Sequence, residues 1–477
     1  MENGTATKQA TDLVTIFTSQ QATALKLRKG NLADRKSNLR KLRSWIHTNR
    51  EAIQQAIYSD FKKPAGEVDG TEIFHVLAEI KNALVNLDTW AAPKKIDAPI
   101  TFLGTRSYVK AEPKGTCLII SPWNYPFSLA AGPLVSALAA GNTAIVKPSE
   151  FTPHTSALIK KMVESLFTPN EVFVAEGDAS VSQHLTSLPF DHIFFTGSPT
   201  VGKLVMKAAA ENLTSVTLEL GGKSPAFVTN NARLQEAAER IAVAKFINCG
   251  QTCIAPDYIL VEEKITADFT KALANHIQKR FTSSNESLQD SQHYTRIVSK
   301  KHWLRLNELL QDALDKGAQL VYGGNVRESD LFFEPTIITN VSENARLAKE
   351  EIFGPILPIF TYKKLEEAIA FVNAKPKPLS LYIYAQNKAE QNSIIQQTSS
   401  GAVCINDSAV HFLNNHLPFG GVNNSGMGST HGYYGFLAFS HVKPVMKQRN
   451  GLTTIKPLYP PYTNFVKRAM NWLLQLH

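Results

Sequence analysis

The chain has few cysteines, no long hydrophobic run and no acidic residue near its C-terminus. Four cysteines occur in 477 residues. Only Cys249 and Cys253 lie close together, so the sequence predicts no disulfide framework and favours a reducing compartment. No apolar run approaches the ~18 residues that suggest a membrane span. The N-terminal segment lacks an apolar core and a small-residue cleavage site, so we expect no signal peptide and a cytoplasmic location.

Acidic residues are absent after Asp407, and the chain as a whole carries a net charge of +9. The cations of this C-terminal stretch are Lys443, Lys447, Arg449, Lys456, Lys467 and Arg468. One interpretation is a solvated basic surface, and the other is attraction to anionic lipid headgroups in a peripheral membrane contact. Nucleic-acid binding is not expected, because no recognition motif accompanies the charge.

The order of apolar segments predicts an α/β fold with more than one domain. A chain of 477 residues is too long for a single ordinary core. Helical periodicity covers about 11–61 and again 72–90, and beyond residue 115 short apolar strands alternate with helices. Repeated strand–helix units predict parallel sheets with helices on both faces. A second α/β unit is predicted to begin near Gly221.

The segment FINCGQTCIAPD, at 246–257, makes Cys253 the first candidate for chemistry. Its small polar neighbours predict a loop in which backbone N–H groups lower the pKa of the thiol. A buried structural cysteine is the alternative. Glu219 lies in the apolar strand VTLEL, just before two glycines, and is either a surface acid or a desolvated base. Such a thiol and carboxylate suggest covalent catalysis followed by activation of water.

Two strand-to-helix junctions carry candidate residues for binding a dinucleotide. Lys147 and Glu150 follow the strand TAIV, and Gly197 to Gly202 read GSPTVG after the strand HIFFT. Ser198 is predicted to be the N-cap of the next helix, with a proline in its first turn. The N–H groups at such a helix N-terminus can bind a pyrophosphate, although a GxxxxG pattern alone specifies no ligand.

Three further segments complete the pattern: SPWNYPF at 121–127, KEEIFGPI at 349–356 and LPFGGVNNSGMGSTHGYYGFLAFSHVKP at 417–444. Together with the segments around Cys253 and Glu219, they resemble the aldehyde dehydrogenase superfamily over nearly the whole chain. NCGQTCIAPDYIL and the glycine-rich C-terminal segment look most like its class 3, fatty-aldehyde branch. The resemblance implies a Rossmann-type cofactor domain, an α/β catalytic domain and a small β oligomerisation arm.

From that resemblance we expect residues 1–94 and 111–220 in the cofactor domain and 221–415 in the catalytic domain. Residues 95–110 and 416–446 would form the oligomerisation arm and a loop near the active site, and 447–477 an amphipathic tail. A homodimer is expected.

The resemblance also implies a role for each candidate residue. Cys253 would be the nucleophile, and Glu219 the base that activates water. Asn124 would donate to the oxyanion, with the Cys253 backbone N–H as the second donor. The remaining implied roles are cofactor binding by Lys147, Glu150, Gly197, Ser198, Gly202, Glu351 and Phe353, and substrate binding by Tyr125 and Asn406.

The implied reaction is the oxidation of an aldehyde, medium-chain, long-chain or otherwise apolar, to a carboxylic acid. NAD is the expected cofactor, since Glu150 would repel a 2′-phosphate, and NADP is left open because Lys147 lies beside it. No metal is expected. Two other classes stay open: a thiol hydrolase that uses Cys253 with a histidine, and a non-catalytic lipid-surface protein on a dehydrogenase scaffold. The resemblance disfavours a CoA-acylating relative, because those usually lack a glutamate at the Glu219 position.

The C-terminal segment predicts a short amphipathic helix over 464–476. Phe465, Ala469, Trp472 and Leu476 fall on one of its faces. A helix of this length is too short for a bilayer, which takes ~20 residues, so it could only lie in the membrane interface. Alternatively, this face packs on the enzyme or on a partner subunit. The fatty-aldehyde resemblance adds that it covers the entrance of a substrate tunnel.

Overall fold

The computed structural model describes residues 2–99, 102, 104–282, 287–451, 453–456 and 459–475, with side chains from residue 12 onward except at 473. Its α-helices are α1 (Glu2–Leu27), α2 (Leu32–Thr48), α3 (Arg50–Phe61), α4 (Ala65–Val68), α5 (Phe74–Ala91), α6 (Ser128–Ala140), α7 (Pro153–Leu166), α8 (Ala179–Ser187), α9 (Pro199–Glu211), α10 (Leu234–Phe246), α11 (Thr266–Phe281), α12 (Lys300–Asp315), α13 (Arg346–Lys349), α14 (Leu365–Asn373), α15 (Lys388–Gln397), α16 (Gly432–Ala438) and α17 (Asn464–Gln475).

The strands are β1 (Lys94–Ile96), β2 (Arg106–Pro113), β3 (Thr116–Ile120), β4 (Thr143–Lys147), β5 (Val172–Val174), β6 (His192–Gly197), β7 (Ser215–Leu220), β8 (Pro225–Val228), β9 (Tyr258–Glu262), β10 (Gln319–Tyr322), β11 (Val326–Arg327), β12 (Phe332–Phe333), β13 (Thr336–Thr339), β14 (Ile356–Tyr362), β15 (Ser380–Tyr384), β16 (Ala402–Ile405), β17 (Gly426–Met427) and β18 (Ser440–Lys447).

The first large sheet has the strand order β17-β7-β6-β3-β4-β5. Strands β3 to β7 pair in parallel, and β17 joins the edge antiparallel to β7. Alternate residues of β3 belong to two separate cores, with Cys117 and Ile119 in one and Leu118 and Ile120 in the other. Both faces of the sheet are therefore covered, which confirms the predicted parallel architecture with helices on either side.

The second large sheet has the order β10-β13-β14-β9-β8-β15-β16, and its pairs are parallel except β10 with β13. Its strands all lie between 225 and 405, inside the segment 221–415 assigned above to a catalytic domain; the domain boundaries themselves stay a prediction. Cys404, in the last strand of this sheet, is only half buried. The reason is that β16 is an edge strand, on which Val403 and Ile405 are exposed.

The third sheet joins β1, β2 and β18 in antiparallel order. Its longest pairing runs from Ser440 opposite Pro113 to Lys447 opposite Arg106. This sheet uses the two segments that the sequence analysis assigned to an oligomerisation arm, and residues 100, 101 and 103 of that arm lie outside the described residues.

The helical pattern over 11–61 is divided among three helices, α1, α2 and α3. The first break covers residues 28–31, and at its end the Asn31 side chain caps α2 by accepting a hydrogen bond from the Asp34 amide at 2.9 Å. The predicted helix at 72–90 begins instead as a π-helical turn over Asp69–Ile73 and continues as α5. Among the helices described, none combines the length and the hydrophobicity that crossing a bilayer requires.

Helix α17 confirms the predicted C-terminal helix to within a residue, but the side chain that it buries is Val466. The predicted apolar face lies mostly in solvent, since Phe465 is 73% and Trp472 62% exposed. Leu476, the last member of that face, lies outside the described residues. This chain therefore leaves the aromatic side of α17 uncovered.

Candidate active site

A cavity of about 260 Å³ lies at the carboxyl ends of β6 and β7, the edge at which parallel sheets bind ligands. Cys253, Asn124 and Glu219 all line it, although they are far apart in sequence. Four of the predicted cofactor residues, Gly197, Ser198, Glu351 and Phe353, line it as well. The structure thus brings the candidate chemical residues and part of the cofactor set into one cavity.

The loop that carries Cys253 is held by an unusual backbone path. Asn248, Cys249 and Gly250 follow one another with φ of 53°, 53° and 72°, a conformation that costs free energy for the two non-glycine residues. At Gly250 a Cβ would lie 2.3 Å from the Gly354 carbonyl oxygen, so no other residue fits. The Gln251 amide stabilises the turn by donating to Asn248 O and Arg296 O, each at 3.0 Å.

Cys253 lies in a more apolar environment than its sequence suggests. It packs against a small cluster formed by Ile254, Leu379 and Phe419. Burial, followed by the carboxyls of Glu351 and Glu219, raises the pKa of the thiol to about 12, although two backbone N–H groups act in the opposite direction. The expected lowering of this pKa is therefore wrong for the protein alone, because desolvation of the thiolate outweighs the backbone dipoles.

Asn124 is buried at the turn between β3 and α6, and its contacts fix its orientation towards the loop of Cys253. Its Nδ2 donates to Gln251 O at 3.0 Å, which leaves the second N–H of the amide for another acceptor. Its own carbonyl oxygen accepts from Asn248 Nδ2 at 2.8 Å and from Lys63 Nζ at 3.3 Å.

Glu219 is the last residue but one of β7, and its carboxyl group is buried and unpaired. Neither oxygen has a hydrogen-bond partner among the residues that the structure describes. Burial raises the pKa of this carboxyl well above its usual value. An uncompensated carboxyl group in such a place is costly, and it is typical of a residue that accepts a proton during a reaction.

The second strand-to-helix junction has the geometry that a pyrophosphate needs. Ser198 caps α9 by accepting from the Val201 amide at 3.4 Å, with a proline at the first helical position, as predicted. At Gly202 a Cβ would lie 2.7 Å from the Leu220 side chain, so glycine permits close packing of α9 on β7. Lys147 and Glu150 pair with each other at 2.8 Å beside the same edge of the sheet. These features fit a dinucleotide.

Glu351 and Phe353 also line the cavity. The Glu351 carboxylate accepts from the Gly222 amide at 2.9 Å, and burial raises its pKa to about 7. Phe353 has φ of 48° and contacts the Trp123 ring edge-on, with centroids 5.3 Å apart. Asp257 holds the start of this segment by accepting from the Ile352 amide at 2.8 Å.

Comparison with known proteins agrees with this site. The sequence model described as "Aldehyde dehydrogenase family" matches residues 4–445. The chain belongs to the aldehyde dehydrogenase family. It is 45% identical over 432 residues, 91% of this chain and 93% of the relative, to a 4,4'-diaponeurosporen-aldehyde dehydrogenase of Staphylococcus aureus. It is 40% identical over 428 residues, 90% of this chain and 87% of the relative, to mouse aldehyde dehydrogenase family 3 member A2.

Among solved structures, the fold matches the substrate-bound state of Staphylococcus aureus AldH with a TM-score of 0.92. That match has 42% identity and covers 97% of this chain and 99% of the other. The resemblance to the class 3 branch and the predicted fold are thereby confirmed. The protein is an aldehyde-oxidising enzyme, and its family uses NAD or NADP.

Neither of the two residues predicted for the substrate pocket of this aldehyde dehydrogenase is among the residues that line the cavity of Cys253. Tyr125 is partly buried, and its hydroxyl lies 2.6 Å from Thr252 Oγ1. Asn406 lines a separate, more polar cavity beside Arg240, where its Oδ1 accepts from the Ala385 amide at 3.1 Å. The assignment of both residues to the substrate pocket stays a prediction.

Sequence reasoning also missed residues that line the cavity. His75 and Glu79 project from α5, and His431 from the glycine-rich segment before α16. Their sequence signal is weak, because His75 and Glu79 are merely one helical turn apart, and His431 is more than 350 residues away. The one sequence feature that could have indicated these lining residues is His431, a histidine beside a glycine in the segment already assigned to the active-site loop.

Proposed function

We propose that this enzyme oxidises apolar aldehydes to carboxylic acids through a covalent intermediate on Cys253. The observation that carries the proposal is the composition of one cavity. Cys253, Asn124 and Glu219 share it with a wall that is otherwise mainly aromatic and aliphatic. The apolar members of that wall include Trp123, Leu129, Phe194, Leu379, Phe412 and Phe419. Such a wall favours an apolar substrate and excludes water from the reacting carbon.

In the first step, Cys253 Sγ loses its proton to solvent and attacks the aldehyde carbon, and the carbonyl π electrons move to oxygen. The oxyanion of the thiohemiacetal would accept from the free N–H of Asn124 Nδ2 and from the Cys253 backbone N–H. Preorganised donors of this kind typically contribute ~3 kcal/mol each to the transition state. The Gln251 contact at 3.0 Å supports this role, because it fixes the plane of the Asn124 amide.

In the second step, the oxyanion re-forms a carbonyl and the C–H bond breaks, which leaves a thioester on Cys253. A nicotinamide cofactor held in the cavity would accept the hydride of that C–H bond. Glu351 and Phe353 would orient its ribose and ring from the cavity wall. Lys147 and Glu150 would hold the adenosine ribose, and the α9 N-terminus, with Gly197, Ser198 and Gly202, would bind the pyrophosphate.

In the third step, Glu219 removes a proton from water, whose oxygen adds to the thioester carbon. The C–S bond then breaks, the carboxylic acid forms, and the thiol of Cys253 is restored by a proton. Burial raises the pKa of Glu219 well above its usual value, which makes it a stronger base than an exposed carboxylate. Its unpaired oxygens support a role in which a water molecule is the missing partner.

The two rival functions lack comparable support. A thiol hydrolase needs a histidine beside the nucleophile, and no histidine hydrogen-bonds to Cys253 in the part of the chain that the structure describes. A purely lipid-binding scaffold does not account for a buried, unpaired Glu219 facing a thiol. CoA as acyl acceptor is disfavoured by the same glutamate, which favours water.

The test is a comparison of three variants with aldehyde and NAD supplied. Cys253→Ala should abolish the absorbance of reduced nicotinamide, whereas Cys249→Ala should retain turnover, because Cys249 is buried against Tyr294. Glu219→Gln should give an initial burst of NADH, followed by slow turnover and a covalent acyl adduct in the intact-protein mass. Equal loss of activity in both folded cysteine variants would contradict the nucleophile assignment. Normal turnover without adduct in Glu219→Gln would contradict the water-activation step.

We further propose a cytoplasmic homodimer. The four cysteines of the chain are free thiols, which supports a reducing compartment. β18 is the edge strand of the small sheet, with Val442 and Met446 about half exposed, and an uncovered edge of this kind pairs readily with another chain. Light scattering after gel filtration should give twice 52.6 kDa, and a monomeric mass would contradict the dimer.

A peripheral membrane contact through α17 is the remaining part of the proposal. Phe465 and Trp472 are exposed on one side of this helix, and Lys467 and Arg468 are exposed as well. A short helix with exposed aromatic and basic residues is typical of an interfacial anchor. It supports delivery of apolar aldehydes from lipid to the enzyme.

A further inference from the structure

One part of the active-site cavity carries polar groups that the proposed mechanism does not use. His75 and Glu79 lie one turn apart on α5, Ser128 begins α6, and His431 precedes α16. All four side chains line the same cavity as Cys253, and we call them the polar cluster. Each is almost fully buried, with exposures of 3%, 3%, 1% and 5% in that order.

The polar cluster is not satisfied by the protein. Within the described residues, no hydrogen-bond partner exists for His75 Nδ1, Glu79 Oε1, Ser128 Oγ or His431 Nδ1. The other Glu79 oxygen accepts from the Gly432 amide at 2.8 Å, which anchors the carboxyl group. An unpaired buried polar group costs ~1–3 kcal/mol, so four together in one cavity wall indicate a ligand group that completes them.

The backbone of His431 supports the same conclusion. It has φ of 74° and ψ of 136°, a strained conformation for a residue with a side chain. Strain of this kind is retained where it places a side chain for function. Here it holds the imidazole against the ring of Phe419, stacked with centroids 5.0 Å apart.

Aromatic rings connect the reacting thiol to the polar cluster. Cys253 and Phe412 both pack against the small cluster that contains Phe419. Phe419 stacks on His431, and Phe412 contacts His431 and His75 at 4.6 and 4.4 Å between centroids. The two imidazoles lie 4.8 Å apart. An apolar substrate body lying along these rings, with its aldehyde at Cys253, would bring its other end to the polar cluster.

The protonation states indicate what that end must be. Burial lowers the pKa of His75 to about 4 and the pKa of His431 well below its usual value, so both are neutral at pH 7. A neutral imidazole offers one donor and one acceptor. Burial also raises the pKa of Glu79 to about 7, because this environment disfavours a charged group. A neutral group that both donates and accepts matches these partners, and a charged one would lose its hydration without compensation.

We propose that the polar cluster binds a hydroxyl group at the end of the substrate remote from the aldehyde, so that hydroxylated apolar aldehydes are preferred over their unsubstituted parents. The inference rests on the proposed function, since it names the substrate class of the same cavity. Sites that hydrogen-bond a substrate hydroxyl discriminate strongly against the analogue that lacks it, because their own groups are then left unpaired.

The experiment uses the full-length enzyme with NAD and two matched pairs of aldehydes. One pair is para-hydroxycinnamaldehyde and cinnamaldehyde, and the other is ω-hydroxydodecanal and dodecanal. The hydroxylated member of at least one pair should have a kcat/KM higher by about tenfold or more. The pair that shows the preference identifies whether the hydroxyl is carried on an aryl or an alkyl body.

His75→Phe tests the role of the cluster, because it keeps the ring and removes the nitrogen atoms. The hydroxyl preference should fall about tenfold, while the melting temperature stays equal or rises, since the variant removes an unpaired buried group. Ser128→Ala is the second variant, and it should reduce the preference in the same direction. His47→Phe, at an exposed position on α2, is the matched control and should leave the preference unchanged.

Three outcomes separate the possibilities. Equal kcat/KM within both pairs for the unmodified enzyme would overturn the inference, and so would a preference that neither His75→Phe nor Ser128→Ala changes. Loss of activity on both members of a pair to the same extent would show that the cluster holds ordered water instead of substrate, which also overturns it. No oxidation of any of the four aldehydes would contradict the proposed function itself.

Discussion

Lys63 and Glu72 form an ion pair of 2.7 Å in which neither side chain is exposed to solvent. The pair lies directly behind the proposed oxyanion donor. Lys63 Nζ donates to Asn124 O at 3.3 Å and lies 4.0 Å from the centre of the Tyr125 ring. The second oxygen of Glu72 accepts from both amides of 127–128, at 3.1 and 3.0 Å. Two charged residues thereby fix the turn that presents Asn124 to the cavity.

Breaking this pair from one side should destabilise the protein strongly. Lys63→Met leaves the Glu72 carboxylate buried without its cation, a change that typically costs ~3–5 kcal/mol. The Lys63→Met/Glu72→Gln double variant should lose less than the sum of the single variants, because neither residue then leaves an unpaired charge. Urea unfolding measures the free energy of unfolding of the single variants and of the double variant. Lys316→Met, in an exposed pair with Asp312, is the control and should leave the unfolding midpoint nearly unchanged.

Additive losses in this cycle would mean that the ion pair does not act as a unit. The kinetic counterpart is a fall in kcat for Glu72→Gln under conditions where the protein is fully folded. That result is expected because a shifted 127–128 turn would move the amide of Asn124 away from the oxyanion.

Local sequence patterns predicted much of the fold and the chemical centre. Cys253, Glu219 and Asn124 are each identified by a short segment, although distant residues hold the backbone of such a segment, as Gly354 does at Gly250. The alternation of strands and helices predicted the parallel sheets, because the hydrophobic periodicity of each element is visible in its own segment of sequence.

The remaining features depend on contacts between distant parts of the chain. The pKa of Cys253 could not be predicted, because it depends on burial by Phe419 and on the carboxyl of Glu351. The polar cluster was missed because His75 and His431 meet only once α5 and the segment before α16 have packed together. The side-chain directions of Tyr125 and Asn406 were likewise set by tertiary hydrogen bonds.

The reactivity of Cys253 in the enzyme without cofactor should increase steeply with pH. Its thiol has a pKa of about 12, above its usual value, so the protonated form dominates at every pH below that. The thiolate fraction, and with it the rate of alkylation by iodoacetamide, should rise about tenfold per pH unit between pH 7 and 9. Cys249, whose pKa is also raised to about 12 by burial, is inaccessible and should stay unmodified in a peptide map.

Glu351→Gln should move this alkylation profile to lower pH. The Glu351 carboxyl disfavours the thiolate when ionised, and since its own pKa is about 7, the difference from the unmodified enzyme should grow above pH 7. Glu343→Gln, on an exposed residue, serves as the control. An alkylation rate that reaches a plateau below pH 9 would contradict the raised pKa of Cys253.

NAD should be used with a higher kcat/KM than NADP. Glu150 is partly exposed beside Lys147, and its carboxylate would repel a 2′-phosphate on the adenosine ribose. Glu150→Gln should therefore raise the NADP-to-NAD ratio of kcat/KM by about tenfold, while Glu164→Gln, exposed on α7, should not. A preference for NADP in the unmodified enzyme would show that the Lys147 cation outweighs the carboxylate.

Removal of residues 463–477 should weaken both vesicle binding and the oxidation of long aldehydes. Phe465 and Trp472 are exposed on α17, and aromatic side chains at such positions enter the headgroup region of a bilayer. Co-sedimentation with vesicles that contain phosphatidylserine should fall on truncation. A series of aliphatic aldehydes should show a larger loss of kcat/KM for long chains than for short ones, if α17 also covers the cavity entrance.

Two further variants separate the contribution of the α17 charges to vesicle binding from the contribution of its aromatic rings. Lys467→Gln/Arg468→Gln should reduce binding to vesicles with phosphatidylserine, since each cation near such a surface contributes ~1 kcal/mol, and should leave the chain-length series unchanged. Trp472→Ala should reduce binding to neutral phosphatidylcholine vesicles as well, because the ring acts by burial of apolar area. Unchanged vesicle binding in the truncated protein would rule out the membrane contact. An unchanged chain-length preference would rule out the entrance role, and either result could occur without the other because the two depend on different partners of the helix.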